Sequence, residues 1–294
     1  MYYLIFIPLY LISLLPLRLL YFFGDGIYAL LYYVIGYRKE VVMGNLAIAF
    51  PEKSIEERTR IAKDFYHNFV DTFIETLKFI SWSYESASKR FETDLSGIEA
   101  AYASGKNIHL IGLHSFNWEF VNWGLAKRVK YAFVGIYMPV GSKPFDKIIR
   151  NMRAKQGTIL IPATDFRNHY MKYKDLRHVL GIVADQSPGK PTNAYWLNFF
   201  GKPTGFVTGP EKSARLNDCS IVFAHFYKTK RGHYRMDTEF IADSIKDWKE
   251  GDLTKIYVSY VEKCIRKEPT NYLWSHRRWK HEYKPEYGEL LDRK

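Results

Sequence analysis

The first 36 residues are the most apolar part of the chain. They form two apolar runs, which Arg18 separates and in which Asp25 is the only other charge. No basic residues precede the first run, so the pattern is unlike that of a cleaved signal peptide. We predict that residues 1–36 are an N-terminal membrane anchor, which either spans the bilayer once or forms a shallow hairpin bent near Gly24 and Gly26. A buried core helix of a soluble protein is the alternative.

Basic residues come directly after the apolar runs. Arg38 and Lys39 are the first of these. By the positive-inside rule they place the rest of the chain, predicted as one domain over residues 37–294, on the cytoplasmic side of a membrane.

A long amphipathic helix is the clearest element of this second part. Ser54 and Glu57 form an S-x-x-E capping box, which predicts a helix start. Apolar side chains then recur at steps of three and four residues from Ile61 to Ile80, as a core-facing stripe requires. His67 falls off this stripe and is predicted to lie on the solvated surface.

Helical and strand patterns alternate along the rest of the chain. Helices are predicted at residues 38–50, 97–103, 144–156, 166–179, 211–217 and 253–267, and strands at 108–113, 132–137, 158–161, 180–184, 220–226 and 234–240. The segment 195–210 is rich in aromatic residues and turn formers. This alternation predicts an α/β fold with a mixed central sheet flanked by helices on both faces.

Composition narrows the class of partner. The chain has 294 residues, 17% of them aromatic, and the aromatic content suggests contact with lipid or long apolar ligands. Its net charge of +12 favours an acidic partner. The charge is scattered, without a basic tail, which argues against nucleic acid. Cys219 and Cys264 form no metal or redox motif, so a reducing compartment is expected.

The strongest candidate for chemistry lies where the strand 108–113 ends. His114 is on the turn after this strand, and Glu119 falls in the first turns of the next helix. A carboxylate there can hold one imidazole tautomer, and neutral imidazole acts as a base. Active groups in α/β sheets lie at the C-terminal ends of strands, so we predict that His114 and Glu119 form a catalytic pair. Asp185 is another polar residue at a strand end.

Six separated motifs resemble one family, the bacterial lipid A late acyltransferases, also called lauroyl/myristoyl acyltransferases. They are G-N-L-A-I-A-F-P (44–51), His-x4-Glu (114–119), R-N-M-R-A-K-Q-G (150–157), A-D-Q (184–186), F-F-G-K-P…T-G-P (199–210) and E-P-T-N-Y-L-W-S-H-R-R-W-K (268–280). His-x4-Glu alone is shared with the glycerolipid acyltransferases. The order and spacing of all six are specific, and the similarity covers nearly the whole chain.

The resemblance implies a fold similar to that of the glycerolipid acyltransferases. It implies an enzyme, bound to the inner membrane through its N-terminus, that transfers a fatty acyl chain from acyl carrier protein to a hydroxyl of a lipid A precursor. It implies no cofactor and no metal. His114 would be the general base, and Glu119 would orient it and stabilise the imidazolium.

The same resemblance implies that other motif residues bind the substrate or stabilise the oxyanion. They are Arg153, Asp185, Gln186, Thr208, Gly209, Arg277 and Arg278. Taken alone, Arg153 is better explained as a surface residue of an amphipathic helix. Asp185 is equally a cap at a strand end, Thr208 and Gly209 are equally a plain turn, and Arg277 and Arg278 equally brace the fold.

Aromatic residues that flank the motifs are predicted to line the acyl pocket. They are Phe116, Trp118, Trp123, Trp196, Phe199 and Phe200. The chain length, the acceptor hydroxyl and the choice between acyl carrier protein and coenzyme A as donor stay open. Two other functions also stay open: an acyltransferase for another membrane glycolipid or an aryl polyene-type lipid, and a catalytically silent lipid-binding protein.

Overall fold

The N-terminal apolar runs fold into two helices. The computed structural model describes residues 1–173 and 175–292. Helix α1 (Tyr2–Leu14) is followed by α2 (Leu17–Ala29), which continues as a π-helical segment, Leu30–Ile35. The chain bends at Pro16, between the helices. The bend predicted near Gly24 and Gly26 is wrong, because both glycines lie inside α2.

Ten strands form two sheets. They are β1 (Phe91–Asp94), β2 (Ile108–Gly112), β3 (Ala132–Tyr137), β4 (Ile159–Pro162), β5 (His178–Val183), β6 (Ala194–Phe199), β7 (Lys202–Val207), β8 (Ser220–Lys230), β9 (His233–Ala242) and β10 (Leu290–Leu291). The central sheet has the order β1-β9-β8-β2-β5-β3-β4, and the small sheet has the order β10-β6-β7. Only the β8–β9 pair of the central sheet is antiparallel, among the described residues. The predicted mixed sheet is confirmed.

Nine further helices complete the described fold. They are α3 (Lys39–Ala49), α4 (Ile55–Phe79), α5 (Tyr84–Ser88), α6 (Ser96–Ala101), α7 (Trp118–Leu125), α8 (Lys143–Ala154), α9 (Phe166–Tyr170), α10 (Gly209–Asn217) and α11 (Asp252–Lys267). The capping box at Ser54 is formed as predicted. On one sheet face, Ile111 and Phe223 pack with α11; on the other, Leu110 and Val222 pack with α7. Alternating side chains of the strands thus build two cores.

Helix α2 packs along α4 instead of standing apart from the domain. Leu20, Tyr21, Tyr28 and Tyr32 are buried and belong to the main core. The segment Leu17–Ile35 has 19 residues and a mean hydropathy of 1.2, so it is long and apolar enough to cross a membrane. Its outer face exposes large apolar side chains, which include Phe22, Phe23, Ile27, Leu30 and Val34. A domain boundary at residue 36 stays a prediction, but the apolar segment shares a hydrophobic core with the rest of the chain.

Two local predictions are wrong, and a hairpin forms where the sequence predicted no element. The helix predicted over 166–179 stops at Tyr170, and β5 begins at His178 because it pairs with β3; Lys174 lies outside the described residues. The segment 195–210, for which the sequence predicted no element, contains most of the β6–β7 hairpin. His67 is half-buried and stacks on Tyr28, with ring centroids 3.5 Å apart, because α2 covers that side of α4.

We predict that deleting residues 1–36 destabilises the whole domain. Four buried side chains at about 1.5–3 kcal/mol each are comparable to the total stability of about 5–15 kcal/mol of an ordinary domain. Deleting residues 1–15, which removes α1 but leaves α2, is the matched control and is expected to unfold at a higher temperature. Thermal unfolding in detergent measures both. A sharp, unshifted transition in the chain without residues 1–36 would contradict the expectation.

Candidate active site

A cavity of about 390 Å³ lies beside the C-terminal halves of three neighbouring strands, β2, β5 and β3. Most of its lining is apolar, and three glycines form part of it: Gly112, Gly135 and Gly181. Gly135 and Gly181 are register partners in the β3–β5 ladder, so this pair presents no side chains of its own to the cavity. The polar or charged residues of the lining are His114, Asn122, Tyr137, Arg153 and Gln186.

The imidazole of His114 is paired with Asp185. Nδ1 of His114 is 2.8 Å from Oδ1 of Asp185, and the same oxygen accepts the backbone N–H of His114 at 2.9 Å. The Asp185 side chain is 1% exposed, against 23% for His114. Burial alone raises the pKa of Asp185, but the adjacent imidazole and the hydrogen bonds from His114 hold the pKa below its usual value. The carboxylate therefore stays charged and fixes Nδ1 as the protonated nitrogen, which leaves Nε2 basic.

Glu119 does not make the contact with His114 that the sequence predicted. It lies in the first turn of α7, as expected, but its carboxylate accepts hydrogen bonds from Nε and Nη2 of Arg153 and, at 3.1 Å, from Nε1 of Trp118. The helix turns the side chain away from the β2 strand end and towards α8. Burial lowers the pKa of Arg153, yet the charge and hydrogen bonds of Glu119 raise it above its normal value. The carboxylate that orients His114 is thus Asp185. Glu119 instead forms an ion pair with Arg153 and fixes that side chain at the cavity wall.

Backbone hydrogen bonds join the C-terminal motif to the turn that carries His114. Leu273 donates its N–H to the carbonyl of His114 at 3.0 Å, and Phe116 donates to the carbonyl of Asn271 at 2.9 Å. Tyr272 forms a bridge with Ser115 in the same ladder. The motif 268–280 is therefore an added strand-like segment that restrains the backbone on both sides of His114.

Two amide side chains that sequence reasoning missed hold this arrangement together. Asn117 caps α7: its Oδ1 accepts the backbone N–H of Glu119 at 2.9 Å. Asn45, from the motif at 44–51, donates to the carbonyls of Trp274 and His276 at 2.8 and 2.7 Å. A polar residue inside an otherwise apolar or aromatic motif is the signal that would have indicated both.

Some of the predicted binding residues line the cavity and others do not. Gln186 and Arg153 line the cavity; Thr208, Gly209, Arg277 and Arg278 are not among its described lining residues. Arg278 is buried, donates to the carbonyl of Gly205 at 3.0 Å and lies 4.2 Å from the ring centroid of Phe206. It braces the fold, which was the alternative. Thr208 precedes α10 on the opposite side of the sheet from the cavity.

The six aromatic residues predicted to line the acyl pocket lie in two kinds of environment. Trp118 lines the cavity, whereas the others are packed in hydrophobic cores. Phe116 packs on Phe65, and Trp123 packs on Phe79. Trp196 stacks on Tyr287, and Phe199 and Phe200 pack with Trp279. Large rings fill cores as readily as pockets, so their position beside motifs was a poor guide.

An imidazole–carboxylate pair beside an apolar cavity is suited to activating a hydroxyl next to a long apolar substrate, as in acyl transfer. The sequence model of the family described as bacterial lipid A biosynthesis acyltransferase matches residues 1–281. The chain therefore belongs to this family and is an acyltransferase of lipid A biosynthesis.

Individual relatives are similar at low identity over most of the chain. The lipid A biosynthesis lauroyltransferase of Escherichia coli K12 is 23% identical over 280 residues, which are 92% of this chain and 89% of the relative. The palmitoleoyltransferase of the same organism is 21% identical over 270 residues, 90% and 86% of the two chains. A lipid A biosynthesis acyltransferase of Haemophilus influenzae is 26% identical over 253 residues, 83% and 78%.

We predict that Asp185 and His114 act as one unit. Asp185→Asn removes the charge that fixes the tautomer, so kcat should fall by about 10²–10⁴-fold, as for loss of a general base. The double variant with His114→Ala should be little worse than His114→Ala alone. Glu119→Gln is the matched control: it also replaces a buried carboxylate, but its loss should multiply with that of His114→Ala. Purified, folded variants in a transfer assay measure this. If the loss of kcat in Glu119→Gln, and not that in Asp185→Asn, fails to add to the loss in His114→Ala, then Glu119 and not Asp185 is the partner of His114.

Proposed function

We propose that this enzyme transfers a fatty acyl chain from the thioester of acyl carrier protein to a hydroxyl of a lipid A precursor at the cytoplasmic face of the inner membrane. The observation that carries the proposal is the His114–Asp185 pair at the edge of an apolar cavity. The family membership supports the lipid A precursor as acceptor. The net charge of the chain supports the donor, and the exposed apolar surface supports the membrane.

His114 is the proposed general base. Its Nε2 takes the proton of the acceptor hydroxyl as the oxygen attacks the thioester carbonyl carbon, and Asp185 stabilises the imidazolium that forms. The tetrahedral intermediate then collapses: the carbon–sulfur bond breaks, and the imidazolium returns the proton to the thiolate. The products are the O-acylated lipid and the free thiol of the carrier.

Arg153 is the proposed electrophilic group for the developing oxyanion. It lines the cavity together with His114, and its side chain is 20% exposed. Glu119 occupies Nε and Nη2, so the guanidinium is held in one orientation with Nη1 left for substrate. A fixed cation in a site of low dielectric stabilises such charge with little reorganisation. Gripping a substrate phosphate is the second role that the same position allows.

The apolar cavity is the proposed acyl pocket. Leu110, Val121, Phe133 and Leu160 contribute its walls, and the glycine pair on β3 and β5 keeps it open. Each buried methylene of a fatty chain gains about 0.8 kcal/mol, so the depth of such a pocket sets the preferred chain length. The names of the relatives, lauroyltransferase and palmitoleoyltransferase, indicate that this length varies within the family.

The exposed apolar surface of α1 and α2 is the proposed contact with the inner membrane. Helix α1 contacts α8, with Nζ of Lys147 4.9 Å from the ring centroid of Tyr2. The loop that leads into α8 exposes Met138 and Val140, and Met138 also lines the cavity. The cavity therefore opens near the same apolar surface, where a lipid acceptor can reach it without leaving the bilayer.

Acyl carrier protein is the proposed donor because it is acidic and this chain carries a net charge of +12. Coenzyme A, which shares the thioester, is the alternative donor. A different membrane glycolipid or an aryl polyene-type lipid is the alternative acceptor.

Mass spectrometry of lipid A from a deletion strain tests the acceptor. We expect the loss of one acyl chain, restored by the wild-type gene but not by His114→Ala, because only the former supplies the base. An unchanged spectrum would reject lipid A as the acceptor. Purified enzyme supplied with either acyl carrier protein or coenzyme A thioesters then decides the donor.

A second prediction concerns chain length. Gly135→Val adds atoms at the cavity wall, where a Cβ already comes within 3.1 Å of Oδ1 of Asn122. We expect the preferred donor to become about two carbons shorter and the selectivity between those donors to change about tenfold. Gly141→Val is the control, since a Cβ there meets open space. Competition between donors of different length measures the shift, and unchanged selectivity in Gly135→Val would place the chain elsewhere.

A further inference from the structure

Glu75 is a buried carboxylate that no motif predicted. It lies on α4 and has no solvent exposure. Three side chains donate to it: Tyr21 at 2.6 Å, Tyr234 at 2.7 Å and Asn117 at 2.8 Å. These donors come from α2, β9 and the turn before α7, so the carboxylate joins three parts of the fold. Burial raises the pKa of Glu75, and the three donors oppose that rise.

The carboxylate determines which way the amide of Asn117 points. A carboxylate only accepts hydrogen bonds, so Asn117 must turn its NH₂ group towards Glu75. Its Oδ1 is then directed at the backbone N–H of Glu119, which it accepts at 2.9 Å. Without Glu75 the amide loses the partner that sets this orientation.

The orientation of Asn117 bears directly on the cavity. Its Oδ1 is the N-cap of α7, and Glu119 lies in the first turn of that helix. Glu119 in turn holds Arg153, which lines the cavity with His114. A chain of hydrogen bonds therefore runs from Tyr21 through Glu75, Asn117 and Glu119 to Arg153.

We infer that Glu75 is a positioning residue for the transfer reaction and that the N-terminal apolar helix, through Tyr21, is part of the same apparatus. The inference rests on the proposed function. A buried charge costs solvation free energy, and an apolar residue of similar size would fill the same volume on α4. What an apolar residue cannot supply is an acceptor that orders three donors from separate elements.

The main experiment uses Glu75→Gln in the full-length chain. The glutamine amide keeps the shape but offers one acceptor oxygen in place of two to the three donors, so the hydrogen bond that orients Asn117 is expected to weaken and with it the cap on Glu119. We expect kcat per folded enzyme to fall about 3- to 30-fold, the range for loss of one N-cap, with little change in KM for the acyl donor. Hydrogen exchange at the backbone amide of Glu119 should become faster, which is a readout independent of activity.

A reversed pair provides the rescue. In Glu75→Gln with Asn117→Asp, residue 75 donates and residue 117 accepts, so the Asp still caps Glu119. We expect kcat to return to within about threefold of wild type and the exchange at Glu119 to slow again. Asn117→Asp alone places two carboxylates face to face and should be worse than the double variant.

Glu211→Gln is the matched control. Glu211 is also a buried carboxylate that side-chain and backbone donors of the fold contact: the backbone N–H of Gly251 at 2.6 Å and of Thr254 at 3.0 Å, Oγ1 of Thr254 at 2.7 Å and Nη2 of Arg215 at 3.4 Å. It holds the start of α11, away from the cavity that contains His114. Its loss should lower thermal stability to a similar degree but leave kcat per folded enzyme and exchange at Glu119 unchanged.

Several results would overturn the inference. It is wrong if Glu75→Gln keeps near-normal kcat and normal exchange at Glu119, if the reversed pair gives no rescue, or if Glu211→Gln loses as much kcat. Should Glu75→Gln not fold, Tyr21→Phe removes one donor only, and it must still accelerate exchange at Glu119. His114→Ala separates the two proposals: an active His114→Ala rejects the proposed chemistry, whereas the exchange data judge Glu75 on their own.

Discussion

The register between β2 and β5 is the constraint on which the site depends. In this parallel pair Gly112 lies opposite Val183, and both strands end at that point. Two residues further on each chain are His114 and Asp185, so the register alone brings imidazole and carboxylate together. A slip by one residue would turn one of them to the other sheet face. The extra ladder between residues 114–116 and 271–273 then restrains the turn, which is why the distant C-terminal motif belongs to the site.

Helix α4 supports the site with polar contacts on its buried side. Asn68 donates to the carbonyl of Thr270 at 2.9 Å, and its Oδ1 accepts Nζ of Lys228 at 2.7 Å. Asp71 and Glu75 continue this row, the former through Lys228 and Arg231. Each of these buried polar groups would lower the stability of the fold if it had no hydrogen-bond partner. Because they are paired, they fix how the N-terminal helix, β8–β9 and the C-terminal motif pack together. The apolar Phe73, by contrast, is exposed, and its ring packs edge-on against Phe69 of the same helix.

The sequence predicted features that are local and missed those that depend on long-range pairing. The capping box at Ser54 and the bounds of β3 follow from neighbours along the chain, and both are correct. Apolar spacing along α4 does not decide between Phe73 and Ile74 at one step of the stripe; Ile74 is buried and Phe73 is exposed, which depends on the elements that pack against the helix. Asp185 was noted as a strand-end carboxylate, yet nothing in the sequence states that β2 and β5 are neighbours. Its pairing with His114 therefore required the fold.

The His-x4-Glu spacing has a different physical basis from the one that a histidine–carboxylate pair suggests. Glu119 begins a helix that leaves the strand end at an angle, so its carboxylate reaches α8 and meets Arg153 while His114 stays with Asp185. The Glu119 side chain is 4% exposed, and a buried ion pair tolerates the loss of neither partner, because the remaining charge is left unpaired. The motif thus takes part in two separate side-chain pairs, His114–Asp185 and Glu119–Arg153, which place His114 and Arg153 on the cavity wall. Since the helix that carries Arg153 also contacts α1, the geometry of that wall depends on the N-terminal apolar helices as well as on the sheet.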